Sequence, residues 1–194
     1  MTTKALRERG SGLADGRRGA ALLLALALLF AGVSLARSDA AGAQTKVIKR
    51  STVTNMTCYE RRLAATINAT RKQYGLRTLQ LVPGLMRSAG KHSLQMAVQG
   101  YFAHSSPNGV SFIARVRSFY GGNVAAGENL LWAQPRVRPR QVVKRWLASP
   151  GHRAVLLSRR WKVFGVGVVS STHGAGVFRG HAVMLVTADF AAKR

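Results

Sequence analysis

The spacing of apolar residues is helical in the middle of the chain and strand-like near its C-terminus. Leu63, Ile67 and Tyr74 lie on one face of a predicted helix over residues 59–74, and Gly75 supplies its C-terminal end. A second stripe at helical spacing begins after Pro83 and ends near residue 100. Its members are Leu85, Ala89, His92 and Met96.

Two apolar, β-branched runs close the chain, at residues 164–169 and 181–190. The glycine-rich segment 172–180 joins them, which predicts an antiparallel pair with a long loop. Helices that precede a sheet in this order indicate an α+β fold. The region between them is predicted to hold a loop-rich stretch over 101–127 with a helix around 112–119, a strand over 128–133 and a helix from Pro139 to Ser149.

The N-terminus has the pattern of an export signal. Five basic residues in the first 18 precede an uncharged run over residues 19–33, and small residues at Ala41 and Ala43 suit a signal peptidase. We therefore expect a signal peptide over 1–43 and an exported protein, either secreted or at the cell surface. The alternative is an uncleaved membrane anchor over 19–36. A basic linker over 44–57 and one domain over 58–194 follow.

Cys58 is the only cysteine, so no intramolecular disulfide can form and the fold depends on its hydrophobic core. The chain carries 30 Lys and Arg against 6 Asp and Glu, a net charge of +24. Such an excess favours an anionic partner, such as acidic lipid or an envelope polymer, although a GC-rich genome would produce the same arginine content. The best local candidates for such a contact are Arg136, Arg138 and Arg140.

Acidic residues are so scarce that they exclude several kinds of site. Glu8, Asp15 and Asp39 leave with the predicted signal, so three of the six acids remain in the domain. They are Glu60, Glu128 and Asp189. This number excludes a calcium site built from many carboxylates and makes a paired-carboxylate glycosidase untenable. The tryptophans are expected to pack in the core and at its rim, so nucleic acid is not an expected partner.

Seven short motifs occur in a defined order along residues 60–190. They are Asn68-x-x-Arg71-x-x-x-Gly75-Leu76, His92-Ser-x-x-Met96, Gly100-Tyr-Phe-x-His104-x-Ser-Pro-x-Gly109, Gly127-Glu-Asn129, Trp146-x-x-Ser-Pro-Gly-His152-Arg153, Val166-Gly-Val168 and Asp189-Phe190. Together they resemble the CAP superfamily, also called SCP-like domains, in the form found in exported bacterial proteins. The resemblance implies a three-layer α-β-α sandwich with a central, mainly antiparallel sheet and an open cleft.

The resemblance also implies a set of cleft residues. In that family the cleft holds two histidines and usually two glutamates, which bind zinc or another divalent metal in some members. His104, Glu128 and His152 match three of these positions, with Asn129 beside them. The fourth, acidic position has no counterpart here, and Ser149 falls in its place.

Three interpretations of this cleft stay open. His104, Glu128 and His152 could hold a metal or a small ligand, or they could form a buried polar network that joins loops. Catalysis by Glu128 and His152 is the least favoured, because the missing acid removes a candidate general base. His92 is expected to be a core histidine behind the cleft.

We therefore expect an exported, monomeric binding module at or beyond the cell envelope rather than an enzyme. Its ligand is undefined, and lipid is one of the candidates. A metal-dependent hydrolase using the same cleft and a cationic adhesin for anionic wall polymer or lipid are the alternatives.

Overall fold

The computed structural model describes residues 56–135 and 137–194. The predicted signal, linker residues 44–55 and Arg136 lie outside these described residues. The helices of the described part are α1 (Cys58–Gln73), α2 (Pro83–Gln99), α3 (Phe112–Tyr120), α4 (Pro139–Ala148) and α5 (Pro150–Leu156). Its strands are β1 (Gln80–Leu81), β2 (Val124–Ala133), β3 (Val163–Ser171) and β4 (Val183–Lys193), and a 3-10 helix covers Gly176–Phe178. None of these helices is long and apolar enough to cross a membrane.

The four strands form one sheet in the order β1-β3-β4-β2. β4 lies antiparallel to both β3 and β2, whereas the two-residue strand β1 lies parallel to β3. The α+β fold and the mainly antiparallel sheet are thus confirmed. The predicted pair of C-terminal strands is confirmed as well, and β2 lies at one edge of the sheet.

Helices cover both faces of the sheet, which gives the expected three layers. Phe164 and Val166 of β3 pack in the same core cluster as residues of α1 and α4. The alternate positions Gly165 and Gly167 lie under α2, where a Cβ atom on either glycine would clash with its backbone. The glycines therefore allow α2 to lie directly on the sheet, and they explain the Val-Gly-Val motif.

Three elements differ from the sequence-based prediction. β2 begins at Val124 rather than at residue 128, because residues 124–127 continue the pairing with β4. The short helix α5 was not predicted, since Ser149-Pro150 was interpreted as the end of the preceding helix. Pro150 instead takes the first position of α5, where a backbone N–H is not needed. The two residues of β1 are too few for a periodic signal.

A buried glutamate joins α1 to the sheet. Thr57 caps the helix, and its backbone N–H and hydroxyl both donate to the Glu60 carboxylate at 2.9 Å. The other carboxylate oxygen of Glu60 accepts from the backbone N–H of Val168 in β3 at 3.1 Å. Met56 is also buried in the core. Residues 56 and 57, which the sequence assigned to the linker, therefore pack with the domain.

A buried arginine holds the other end of α1. Arg71 is fully buried, and its guanidinium donates to the carbonyl oxygens of Arg77, Leu156 and Ser158 at 2.7–3.1 Å. Burial lowers the pKa of Arg71, and the charge of Arg77 lowers it further. The carbonyl groups stabilise the charge because their dipoles point at it, so Arg71 fixes the segment after α5 against α1.

We predict that Arg71→Met lowers the free energy of unfolding by about 3 kcal/mol, because three backbone carbonyl groups, among them the buried one of Leu156, lose a charged donor. Urea denaturation followed by circular dichroism measures the change. Arg87→Met, at an exposed position of α2, is the matched control and should change stability by less than about 0.5 kcal/mol. Equal losses in both variants would contradict the role assigned to Arg71.

Candidate functional site

Glu128 lies on edge strand β2, and its side chain has no exposed surface. One carboxylate oxygen, Oε1, lies 2.7 Å from Nδ1 of His104. The other, Oε2, accepts a hydrogen bond from Nη2 of Arg115. The carboxylate therefore has a charged partner on one side and, on the other, a histidine whose side chain is 53% exposed. His104 is the one member of this cluster that solvent reaches.

Arg115 is a site residue that sequence reasoning missed. It lies on α3, only 4% of its side chain is exposed, and Nη1 donates to the backbone carbonyl of His104 at 3.0 Å. It thus holds both Glu128 and the loop that carries His104. Because the chain has 22 arginines, its residue type gave no signal. The usable clue was that a buried carboxylate needs a cationic partner.

Asp189 and His92 lie behind Glu128. Asp189 of β4 is directly opposite Glu128 in the sheet register and is fully buried. Burial raises the pKa of Asp189 well above its usual value, and the charge of Glu128 raises it further, whereas Arg115 opposes them. Burial lowers the pKa of His92 to about 4, followed by the charge of Arg115. At neutral pH His92 is therefore uncharged, and Asp189 keeps its proton to a higher pH than an exposed aspartate does.

His152 belongs to a second group of contacts. Its Nδ1 lies 2.9 Å from Oγ of Ser149, at the start of α5, and its backbone carbonyl accepts from Nδ2 of Asn129 at 2.9 Å. Burial lowers the pKa of His152, and the nearby charge of His104 lowers it further. Asn129 and Glu128 are neighbours on β2, so their side chains point to opposite faces of the sheet.

The five predicted cleft residues therefore fall into two separate groups around β2, one of two residues and one of three. Glu128 meets His104, and the Ser149–His152 pair meets Asn129. Among the residues that the structure describes, no hydrogen bond joins His152 to Glu128. All five residues thus lie near the same edge strand, as the sequence predicts. They do not come together as one set of metal ligands.

This arrangement does not fit a metal ion. In the described part of the chain, no three His, Cys, Asp or Glu side chains come close enough together to hold one. Glu128 already has one oxygen on Arg115 and the other on His104. The guanidinium of Arg115, in contact with the Glu128 carboxylate, also repels a divalent cation. The residues present thus lack the carboxylate that a His, His, Glu site requires.

A separate groove runs between α1 and α4, on the opposite side of the sheet from α2. It consists of a cavity of about 550 Å³ and a neighbouring one of about 460 Å³, which share Ala65, Thr66 and Arg140. Its apolar lining is formed by Ala65, Ala69, Val143 and Leu147. Its basic lining is formed by Arg62, Arg138, Arg140 and Lys144. No acidic side chain lines either cavity.

Two of the three arginines proposed for polyanion contact, Arg138 and Arg140, lie at this groove. Arg136 lies outside the described residues.

We predict a strong energetic coupling between Glu128 and Arg115. Glu128→Gln or Arg115→Met alone should each lower the free energy of unfolding by about 3 kcal/mol, since each leaves a buried partner without compensation. The double variant should lose less than the sum of the two, by about 2 kcal/mol or more. His104→Asn is the control and should cost less than about 1 kcal/mol, because His104 is half exposed. Additive losses would contradict the coupling.

We also predict that Asp189 makes stability fall as pH rises. The folded state keeps the proton of Asp189, whereas the unfolded chain releases it above its ordinary pKa of 3.8. Its contribution is complete below that pH and is lost as pH rises towards the higher pKa of the folded state. Asp189→Asn should therefore be more stable than the wild type at pH 7, and the difference should shrink towards pH 4.

Urea denaturation at intervals between pH 4 and pH 8 measures this difference. His92 acts in the opposite direction, because its lowered pKa costs stability as pH falls from 6.5 to about 4. Since His92 is present in both proteins, its effect cancels when Asp189→Asn is compared with the wild type. A difference that does not change with pH would exclude a protonated Asp189.

Comparison with known proteins identifies sequence relatives of this chain and proteins that share its fold. The uncharacterized protein YkwD of Bacillus subtilis (strain 168) is 36% identical over 121 residues, which are 62% of this chain and 46% of that protein. The match thus spans less than half of that relative. An extracellular protein containing a SCP domain from Bacillus anthracis is 26% identical with a TM-score of 0.56, over 70% of this chain and 40% of that one.

An outer surface protein of Borrelia burgdorferi shares the fold alone, at 18% identity with a TM-score of 0.59, over 69% of this chain and 92% of that chain. A model of the cysteine-rich secretory protein family, CAP, matches residues 64–186. This range contains six of the seven sequence motifs. The match therefore confirms the resemblance to the CAP superfamily that those motifs indicate. The chain belongs to the CAP family of cysteine-rich secretory proteins.

Proposed function

We propose that the protein is an exported binding module that holds an anionic amphiphile, such as an acidic lipid, in the groove between α1 and α4. The observation that carries this proposal is the lining of the groove. Small and branched apolar side chains form its floor, and four cationic side chains lie around it with no carboxylate among them. An acyl chain suits the floor, and a phosphate or carboxylate headgroup suits the cations.

The charge distribution of the domain supports an anionic ligand. In the described part of the chain, all three carboxyl side chains, those of Glu60, Glu128 and Asp189, are buried. The surface of this part therefore offers cationic side chains without acidic ones to neutralise them. Such a surface raises the local concentration of anions and excludes cationic ligands.

The exposed positions at the floor of the groove support a ligand with an apolar part. Ala65 and Ala69 are exposed on α1 and have no side chain beyond Cβ, so they leave space beside Val143 and Leu147 of α4. A polymer that carries charge alone would gain nothing from this space. An amphiphile gains about 0.8 kcal/mol for each methylene group it buries there.

Export is part of the proposal. The basic and apolar N-terminal segment supports it, as does the similarity to an extracellular SCP-domain protein from Bacillus anthracis. The hydrolase hypothesis has less support, because Arg115 occupies the position next to Glu128 that a metal would need. The Ser149–His152 contact has no carboxylate partner on the histidine among the described residues, so a nucleophile activated by a histidine also lacks support.

We predict that dodecyl phosphate, below its critical micelle concentration, binds the exported domain with one site. Arg140→Gln combined with Lys144→Gln should weaken binding tenfold or more, because two charge-assisted contacts are lost. The matched control is Arg159→Gln combined with Arg160→Gln, two exposed arginines that do not line the groove, and it should leave binding nearly unchanged. Isothermal titration calorimetry measures the affinities.

Two further probes separate the amphiphile from a charged polymer. Dodecyl maltoside lacks the charge and inorganic phosphate lacks the chain, so each should bind the groove much more weakly than dodecyl phosphate. Ala69→Phe fills the floor of the groove and keeps every cationic side chain, so it should abolish binding of the dodecyl chain of the probe. Two outcomes would instead indicate an anionic polymer held by surface charge. In one, Ala69→Phe binds dodecyl phosphate as the wild type does. In the other, the double variant in the groove and the control double variant weaken binding equally.

A further inference from the structure

A small cavity lies between α2, α3 and the loop that joins them, on the opposite face of the sheet from the groove. Its volume is about 100 Å³, which is room for about three water molecules. It is lined by Lys91, Gln95, Ser106, Asn108, Val110, Arg115, Ser118 and Phe119. Two of these side chains are cationic, most of the others are polar, and none is acidic.

Arg115, which lines this cavity, has an unsatisfied donor. Arg115 is 4% exposed, and its Nη1 and Nη2 atoms are occupied by the His104 carbonyl and by Glu128. Its third nitrogen, Nε, is buried and has no hydrogen-bond partner within the described part of the protein. A buried N–H of a guanidinium without an acceptor is costly, so an acceptor from outside the chain would stabilise it.

The other lining residues complete a set of donors. The Lys91 ammonium group lies 5.5 Å from the centre of the Phe119 ring, and no ion pair within the described residues includes it. Asn108 uses its oxygen to accept from the backbone N–H of Val110, which directs its amide nitrogen elsewhere as a donor. Lys91, Asn108 and Arg115 thus offer donors from three separate segments.

We infer that this cavity is a binding site for a small oxyanion, a phosphate or carboxylate group, held by Arg115 Nε and Lys91. The volume admits one such group. The charge of Arg115 is balanced by Glu128, so the anion is attracted mainly by Lys91 and oriented by Arg115. This site is independent of the α1–α4 groove, and neither requires the other.

The test is a titration of the full exported domain with inorganic phosphate at constant ionic strength, with chloride as the balancing anion. The Nε–H signal of Arg115 in a nitrogen–proton NMR spectrum should shift to saturation with a single site. Lys91→Gln should weaken binding about tenfold, because one charge-assisted contact is lost. Asn108→Ala, at an exposed loop position, should weaken it by a smaller factor.

Lys72→Gln is the matched control, since Lys72 is exposed in the last turn of α1, on the other face of the sheet. It should leave phosphate binding unchanged. Both lysines are exposed, so both variants should fold, and their melting temperatures without phosphate verify this. An Arg115 signal that does not move with phosphate would overturn the inference. Equal weakening by Lys91→Gln and Lys72→Gln would also overturn it, because the binding would then reflect net charge alone.

Titration with acetate distinguishes a carboxylate from a phosphate as the preferred group. The same shift of the Arg115 signal at lower concentrations of acetate than of phosphate would assign the site to carboxylates. The pair Arg140→Gln and Lys144→Gln should not affect either titration. If that pair abolishes the phosphate response, the anion binds in the groove and the cavity is not the site.

Discussion

The buried ion pair between Glu128 and Arg115 determines how the edge of the sheet, α3 and the His104 loop fit together. Neither side chain has more than 4% of its surface exposed. Burial of either charge alone would cost several kcal/mol, so β2 and α3 can pack only where the two groups meet. Arg115 also holds the backbone of His104, and His92 of α2 lies 2.8 Å from the carbonyl of Ala103 just before it. One carboxylate on an edge strand thus positions three other segments.

The other two acids of the described domain are also buried, and this determines the charge of its surface. Glu60 is used within the fold to join α1 to β3, and Asp189 is fully buried behind Glu128, where burial raises its pKa. The described surface therefore carries cationic side chains without acidic neighbours, and its attraction for anions acts over about 10 Å before salt screens it. Selectivity must come from shape, since charge alone does not distinguish one anion from another. The groove offers an apolar floor, whereas the cavity beside Arg115 admits only a small group.

Much of the fold could be predicted because its signals are local. The stripes of α1 and α2, the apolar runs of β3 and β4 and the glycines that let α2 approach the sheet are all visible within a few residues. Arg115 could not be predicted, because one arginine among 22 becomes special only when the fold brings it to Glu128. The groove was equally hidden: Ala65 and Ala69 look like ordinary helix formers until α4, some 70 residues later, packs beside them.

The departure of this chain from the usual CAP cleft follows from the same ion pair. The sequence resemblance assigns Ser149 to the acidic position of that cleft, and the guanidinium of Arg115 balances the charge at Glu128. The other carboxyl group behind Glu128, that of Asp189, is fully buried, and burial raises its pKa well above the usual value, so it is a poor charged ligand. A divalent cation would have to displace the guanidinium and leave that charge buried without a partner, at a cost of several kcal/mol. In this chain the glutamate of the Gly-Glu-Asn motif therefore serves to place a buried arginine, whose free N–H suits an anion rather than a metal.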